Sequence, residues 1–436
     1  MAQAREVALS VLLRMEQDDS YSNLLLDAEL EKAALSRRDT ALATTLVYGV
    51  AARRITLDYL LEAVSGRPVG KMQPALRTIL RLGAYQLCFL DKIPARAAVN
   101  EAVQMAKKRH LGHASGFVNG VLRGLDRKKG ALPFPSEETD VLRAWEVRYS
   151  CPRALIVLWR QAYGAERTRA ILEQLNTVPP LAVRVNTLRT TPDALRAELG
   201  EAGIETAPAP SVPDALLLSH AADLRGLPAF AEGRFFVQDL ASQLACAALD
   251  PQPGDTVYDL CAAPGGKSFT LALRMRGQGT VRAFDLHAHR VRLIEEGAGR
   301  LGLAGIVQAS VRDAAVGGPL PPADRVLCDV PCSGLGVIRR KPEIRYKNPK
   351  IFDGLPDLQY HILCDGAANL KSGGVLVYST CALNPAENEA VLRRFLDGHP
   401  GFEAVPFPGA PAGSVTLFPQ ADGTDGFFIA KLLRRP

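Results

Sequence analysis

From residue 255 onward, short apolar runs recur between helical stretches: "TVYDLCA", "TVRAFDL", "GIVQAS", "RVLCDV" and "VLVYST". A strand that alternates apolar with polar residues can leave one face in water, whereas a continuously apolar strand has to be covered on both. Such strands separated by helices predict a parallel, doubly wound α/β sheet with helices on each side. In sheets of this kind ligands bind beyond the carboxyl ends of the strands, near the point where the strand order reverses. Cys332 in "CDVPCSGLG" and Cys381 in "VYSTCAL" fall just past two of those ends, and Asp285 and Asp329 stand at them.

The 436 residues exceed one ordinary core and imply two or three domains. Residues 1–130 read as an all-α domain. "LRTILRLGAYQLCFL" places apolar residues three and four apart, and "AAVNEAVQMAKKR" offers Asn100 as a cap for the turn that follows. Near the start, Val7, Leu9, Val11 and Leu12 keep helical spacing but are interrupted by charges, unlike the unbroken apolar core of a secretion signal. "RKKGALPFPSEETD" reads as a linker. Residues 140–230 form a small mixed α/β region. Within it "LAVRVNTLR" is strand-like, and "TPDALRAELGEAG" is a helix capped by Thr191, opened by Pro192 and left at Gly203. The doubly wound domain occupies 231–436.

A hydrophobic share of 47% with 22% charged residues is that of a soluble globular chain, and no run approaches the length of a membrane span. The eight cysteines show neither metal-ligand spacing nor a disulfide framework, which points to a reducing cytoplasm and leaves thiols free for chemistry. His287 and His289 have no further ligands at metal spacing, so no metal is expected. The net charge of +6 is uneven: residues 1–50 carry five Lys/Arg against eight Asp/Glu, and residues 51–130 carry fifteen against five. The second window has the footprint of a surface for a polyanion, with a merely solvated set of helices as the bland alternative.

"DLCAAPGGKSFTLAL" reads as strand, small-residue turn and helix. Gly265 and Gly266 let backbone amides approach a ligand, and the helix N-terminus behind them favours negative charge. A phosphate-binding loop would need glycine at position 261, which is Cys261, and the spacing Gly-x-Gly-x-x-Gly of a dinucleotide loop is absent. The third reading is S-adenosylmethionine. Its ribose hydroxyls want an acceptor at the end of the second strand, where Asp285 lies. Asp313, past the third strand, would accept from the adenine amino group. For both aspartates the alternative is a helix cap.

"CAAPGGK", "DVPCSGLGVIRRKPEIR" and "YSTCALNPAENEAVL", in this order, resemble the RNA cytosine-5 methyltransferases. "ILRLGAYQL" and "AAVNEAV" resemble a NusB-like RNA-binding domain, and the combination is similar to the bacterial Sun/Fmu group, which methylates a cytosine of 16S ribosomal RNA. The resemblance implies a Rossmann-like catalytic domain, S-adenosylmethionine as cofactor, ribosomal RNA as substrate, and a cytoplasmic protein expected to act as a monomer. The cofactor loop then comprises Cys261, Ala262, Ala263, Pro264, Gly265, Gly266 and Lys267, joined by Asp285, Asp313 and Asp329. The chain departs from the family at Arg312, where a glycine more often precedes the aspartate.

Cytosine C5 is a poor nucleophile. A thiolate adding to C6 makes the ring enamine-like, so that C5 can attack a methyl group, and one hard step becomes two easier ones. A protonated carboxyl near N3 would relieve the charge that builds on the ring. Asp329 is placed for this, and burial would have to raise its pKa. Both Cys332 and Cys381 are candidate nucleophiles. The resemblance assigns attack to Cys381, the cysteine of the Thr-Cys pair, and leaves Cys332 to assist product release. Lys267 is expected near Asp329. Asn384, Pro385 and Glu387 have the spacing of a capping box and are expected to start a helix, and "RRKPEIRYK" reads as a phosphate clamp.

Overall fold

The computed structural model describes the chain except residues 1, 19–21, 133 and 220–223; Pro133 of the expected linker and four residues of the middle region thus lie outside the described residues. Two compact units are present, Met1–Thr177 with Ile338–Asn348, and Val178–Val337 with Pro349–Pro436.

The first unit is helical. Helices Ala2–Asp18, Arg37–Ala52, Arg54–Ser65, Pro74–Phe89, Ala95–Lys108 and Ser115–Lys128 enclose a core that includes Leu9, Leu46, Leu57, Leu61, Ile79 and Leu122. Val7, Leu9, Val11 and Leu12 are all buried, as their spacing predicts. Asn100 is not a cap: the helix starts five residues earlier, at Ala95 behind Pro94, whose fixed φ suits an entry, and Asn100 lies mid-helix on the exposed side. Helices Val141–Tyr149 and Arg153–Gln174 belong to the same unit.

Within "RRKPEIRYK" one cation, Arg345, does not face solvent. Arg345 is 2% exposed and donates from Nη1 to the carbonyls of Ala52 at 3.1 Å and Ser150 at 3.2 Å and to Asn176 Oδ1 at 3.2 Å, and from Nη2 to the Leu175 carbonyl at 3.1 Å. Its partners are helix ends and loop carbonyls that lack intrahelical donors, and a five-donor planar group is suited to collect them. Arg345 therefore anchors residues 338–348 within the helical unit.

The second unit holds two sheets. In the smaller, antiparallel sheet the order is β2-β3-β1-β4, with β1 Leu181–Val185, β2 Glu205–Pro208, β3 Ala215–Ser219 and β4 Phe235–Val237. Helix Pro192–Glu201 is capped by Thr191, whose hydroxyl accepts from Ala194 N, and Gly203 has φ +77° beyond its end. The larger sheet contains β5 Thr256–Asp259, β6 Thr280–Asp285, β7 Val307–Val311, β8 Ala323–Asp329, β9 Leu370–Thr380, β10 Phe402–Ala404, β11 Ser414–Leu417 and β12 Phe427–Arg434. Its order is β10-β12-β9-β8-β5-β6-β7, with β11 also paired to β12.

Strands β5 to β9 are mutually parallel, and their residues divide between two apolar clusters. Val257, Leu327, Val375 and Val377 face one, while Tyr258, Val326, Leu376 and Tyr378 face the other. This is the two-residue period of a strand covered on both sides. The sheet is mixed rather than wholly parallel, because β12 runs antiparallel to β9 and carries β10 and β11 antiparallel to itself. The chain passes from β5 to β6 on one side and returns through β8 on the other, so the reversal point lies between β5 and β8.

Candidate active site

At the end of β5, Asp259 is fully buried. One oxygen accepts from Ser268 Oγ at 2.7 Å and the other has no hydrogen-bond partner among the described residues. Burial pushes its carboxyl up to about 7, nearby Asp329 adds to the rise, and the Ser268 hydrogen bond and Lys267 oppose it. Sequence reasoning passed over Asp259, although an acidic residue inside a run that must be buried was a readable signal.

The next turn carries Cys261 to Gly266. Ala262 N donates to the Phe284 carbonyl at 2.7 Å, and Ala263 N to Asp285 Oδ2 at 3.3 Å. Gly265 has φ +106°, and a side chain there would run into the Phe269 ring, so only glycine closes this turn into helix Gly266–Arg274. Pro264 is exposed, and the Cys261 thiol is held well above the ordinary range by burial and by Asp259, Asp329 and Asp285.

Asp285, at the end of β6, is 3% exposed and also accepts from His287 N at 3.2 Å, with Arg290 3.4 Å away. It thus holds both the cofactor loop and the entry of the next helix, so the cap alternative accounts for part of its bonding. Asp313 is exposed and accepts from Ala315 N at 2.9 Å within its own turn. Arg312, the departure from the family pattern, is a structural ion: it forks onto Asp365 at 2.8 and 2.9 Å and donates to the Gly318 carbonyl at 2.8 Å.

At the end of β8, Asp329 has Lys267 beside it, as the sequence reading expects. Lys267 Nζ lies 2.7 Å from its Oδ2, and Ser379 Oγ donates to Oδ1 at 2.7 Å. Burial works against the Lys267 charge, and Asp329 more than offsets it, holding the ammonium charged well above the ordinary lysine range. The lysine also stands 5.4 Å from the centre of the Phe427 ring.

Beyond β8 and β9 the two cysteines meet, Cys332 Sγ lying 3.1 Å from Cys381 Sγ, with both thiols free. The hydrogen bond to Cys381, burial and the nearby Glu387 all push the Cys332 thiol well above its usual range, so Cys332 keeps its proton.

The two loops are locked together. Gly336 N donates to the Cys381 carbonyl at 2.9 Å, and Gly426 N to the Gly336 carbonyl at 3.0 Å; a methyl group on Gly336 would overlap the Gly426 carbonyl. Glu387 is fully buried and does not complete a capping box. It accepts from Ser333 N at 2.8 Å, Gln359 Nε2 at 3.0 Å and Asn384 Nδ2 at 2.8 Å, and the helix starts only at Glu389. Two of its partners, Ser333 and Gln359, are distant in sequence, which local spacing does not reveal.

The carboxyl ends of β5, β6 and β8 thus bring Asp259, Asp285 and Asp329 close together, with Asp285 an acceptor suited to a ligand that carries hydroxyl groups. The adjacent ends of β8 and β9 present a thiol pair and an ammonium–carboxylate pair. Among the described residues no group of three or more His, Cys, Asp or Glu is arranged to hold a metal ion, and no helix is long and apolar enough to cross a membrane.

Fold and site together define a Rossmann-like methyltransferase. The family model "16S rRNA methyltransferase RsmB/F" matches residues 246–433, the NusB family model residues 2–127, and the RsmF/B-like ferredoxin-like domain model residues 151–225. A probable ribosomal RNA small subunit methyltransferase B of Bacillus subtilis is 40% identical over 99% of this chain and 98% of its own. The ribosomal RNA small subunit methyltransferase B of Pseudomonas putida is 36% identical over 94% of each. Among solved structures, PH0851 superposes with a TM-score of 0.84 at 28% identity, covering 99% of this chain and 98% of that one. A methyltransferase homolog protein from Pyrococcus horikoshii gives 0.60 at 29% identity, covering 68% of this chain and 99% of that one. The chain belongs to the RsmB/F family of 16S rRNA methyltransferases. Its helical N-terminal domain is NusB-like and its small antiparallel sheet is part of a ferredoxin-like middle domain.

Proposed function

We propose that this chain methylates C5 of a cytosine in small-subunit ribosomal RNA, with S-adenosylmethionine as donor and a transient bond between Cys381 Sγ and C6 of the base. The observation that carries this reading is the Cys332–Cys381 contact at 3.1 Å, with the Lys267–Asp329 pair on the neighbouring strand end.

The residues fit the cofactor. Asp285 supplies a nearly buried acceptor for ribose hydroxyls, the unpartnered oxygen of Asp259 leaves the loop short of a donor, and Gly265 and Gly266 keep the turn free of side chains. When bound, S-adenosylmethionine supplies the electrophilic methyl group. Cys381, released from its proton, adds to C6 and makes C5 nucleophilic. The charged Lys267 and its partner Asp329 hold a proton where charge gathers at N3 and O2 of the ring, and Ser379 fixes the Asp329 carboxylate against rotation. Removal of the C5 proton then sends the electron pair back into the ring and expels the Cys381 thiolate. Cys332, still carrying its proton, is within reach to reprotonate that sulfur. The base has to be extruded from its stack to reach these groups.

Deproteinised 16S ribosomal RNA carrying [5-³H]cytosine tests the reading. Tritium should appear in water at one equivalent per methyl group transferred. Methyl incorporation without tritium release would move the target away from C5.

A further inference from the structure

The helical unit contains a cavity of about 260 Å³ between its helices and the segment 338–348, lined by Glu16, Arg54, Arg77, Arg81, Tyr346 and Lys347 among others. Its charges are unevenly matched. Arg81 forks onto Asp58 at 2.7 and 2.8 Å and also contacts Glu16, and Arg77 holds Glu16 at 2.7 Å. Both carboxylates are thereby spoken for, and the remaining acidic residue of the lining, Glu343, is opposed by Lys347 in formal charge.

Arg54 has no such partner. Its guanidinium carbon lies 3.7 Å from the centre of the Tyr346 ring, and among the described residues it makes no hydrogen bond. Tyr346 is itself fixed, its hydroxyl within 2.9 Å of Ser150 Oγ and donating to the Ser150 carbonyl at 3.1 Å. The neighbouring Arg53 stacks at 5.0 Å on Phe89, and its guanidinium likewise makes no hydrogen bond among the described residues. Burial lowers the pKa of both arginines, with Arg345 repelling Arg53 and Arg81 repelling Arg54, while Tyr346 opposes the fall in both and Asp58 and Glu16 oppose it in Arg54. A half-buried guanidinium with five idle donors, held flat on an aromatic ring beside other cations, is costly alone and matches the fork geometry of a phosphate.

We propose that this cavity is a phosphate subsite for the RNA substrate, in which Arg54, held on Tyr346, takes one backbone phosphodiester. The proposal rests on the RNA reading above and adds a contact that positions the substrate without reading its bases.

Filter binding of full-length protein to deproteinised 16S ribosomal RNA over a salt series tests it. Arg54→Gln should lower affinity roughly three- to tenfold near 0.1 M salt and make the log–log salt slope shallower by about one, because one phosphate is no longer neutralised. Arg54→Lys keeps the charge and loses the fork, so its slope should match wild type while its affinity falls less. Calorimetric affinity for S-adenosylhomocysteine should be unchanged in both and serves as the check of folding. If Arg54→Gln does not fold, Arg54→Lys decides: wild-type affinity removes the fork contact, and the expected partial loss supports it. Wild-type affinity and slope in Arg54→Gln would overturn the proposal. So would inorganic phosphate raising the melting temperature of wild type but not of Arg54→Gln while RNA affinity stays unchanged, since the cavity would then serve a free anion. Failure of wild-type protein itself to bind the RNA would instead sink the RNA reading.

Discussion

The sulfur atoms of Cys332 and Cys381 lie 3.1 Å apart, a distance at which one thiol donates to the other and no disulfide exists. The hydrogen bond to Cys381 and burial raise the Cys332 thiol, and the proposed reading gives the attack on the base to Cys381. Cys381→Ala is expected to abolish methyl transfer while leaving cofactor affinity within a few fold. Cys332→Ala is expected to spare addition and block expulsion, so that a covalent protein–RNA adduct accumulates and appears as a slow band on a denaturing gel. The double variant should show no band. Normal turnover by Cys332→Ala without adduct would reduce that thiol to packing.

Asp285 is 3% exposed and bonds two backbone amides of its own surroundings. Asp285→Ala should weaken S-adenosylmethionine binding by roughly 1 to 3 kcal/mol, the cost of stranding buried hydroxyl donors. Calorimetry that finds no change would leave this carboxylate with its role at the helix entry alone.

Glu387 joins the loop after Cys332 to the loop after Cys381 through Ser333 N and Asn384. Glu387→Ala strands three buried donors and should cost about 3 to 5 kcal/mol in urea unfolding, with loss of turnover. Glu387→Gln, which keeps the shape but brings its own donors toward Ser333 N or Gln359, should lie between. A loss under 1 kcal/mol for the alanine variant would mean that water replaces the carboxylate and the loops are not held by it.

The strands β5, β6, β8 and β9 were legible because both their faces are largely buried, which writes continuous apolar runs into the sequence. Strands β10 and β11 are short and half-exposed, so "FEA" and "SVTL" carry no such run, and nothing in β12 states that it will pair antiparallel. Composition exposed the basic character of 51–130, but the spacing of "RRKPEIRYK" did not show that Arg345 turns inward onto four backbone carbonyls and one amide, a choice made by distant helix ends. Lys267 and Asp329 were legible as neighbours because each follows a strand of the same sheet. The Ser379 hydroxyl that also holds Asp329 was not legible, because a hydrogen bond across strands leaves no local signature.

Arg345 is a cation 2% exposed whose partners are backbone carbonyls and one side-chain amide. Arg345→Met removes the charge yet leaves those oxygens unmatched, and should destabilise the protein by roughly 2 to 4 kcal/mol. Arg345→Lys should recover little, because three donors on a point cannot serve partners that a planar fork reaches. Full stability in Arg345→Lys, measured by denaturant unfolding, would mean that charge rather than geometry holds the segment.

Asp259 should give stability a pH dependence of opposite sign to that of an exposed carboxylate. Its folded-state pKa is raised from 3.8 to about 7, first by burial and then by Asp329, against the Ser268 hydroxyl, Lys267 and the Cys261 amide, which favour ionisation. As pH rises from about 4 the unfolded chain sheds this proton while the folded chain keeps it, so the folded state is progressively disfavoured until about pH 7. At about 1.4 kcal/mol per unit, the contribution lost across that window is at most about 4 kcal/mol. Asp259→Asn keeps an acceptor for Ser268 and cannot ionise. Relative to wild type it should gain little near pH 4.5 and progressively more toward pH 8, read as the difference in denaturant unfolding free energy. A difference that stays flat between these pH values would mean that Asp259 is already ionised in the folded protein, held so by Lys267.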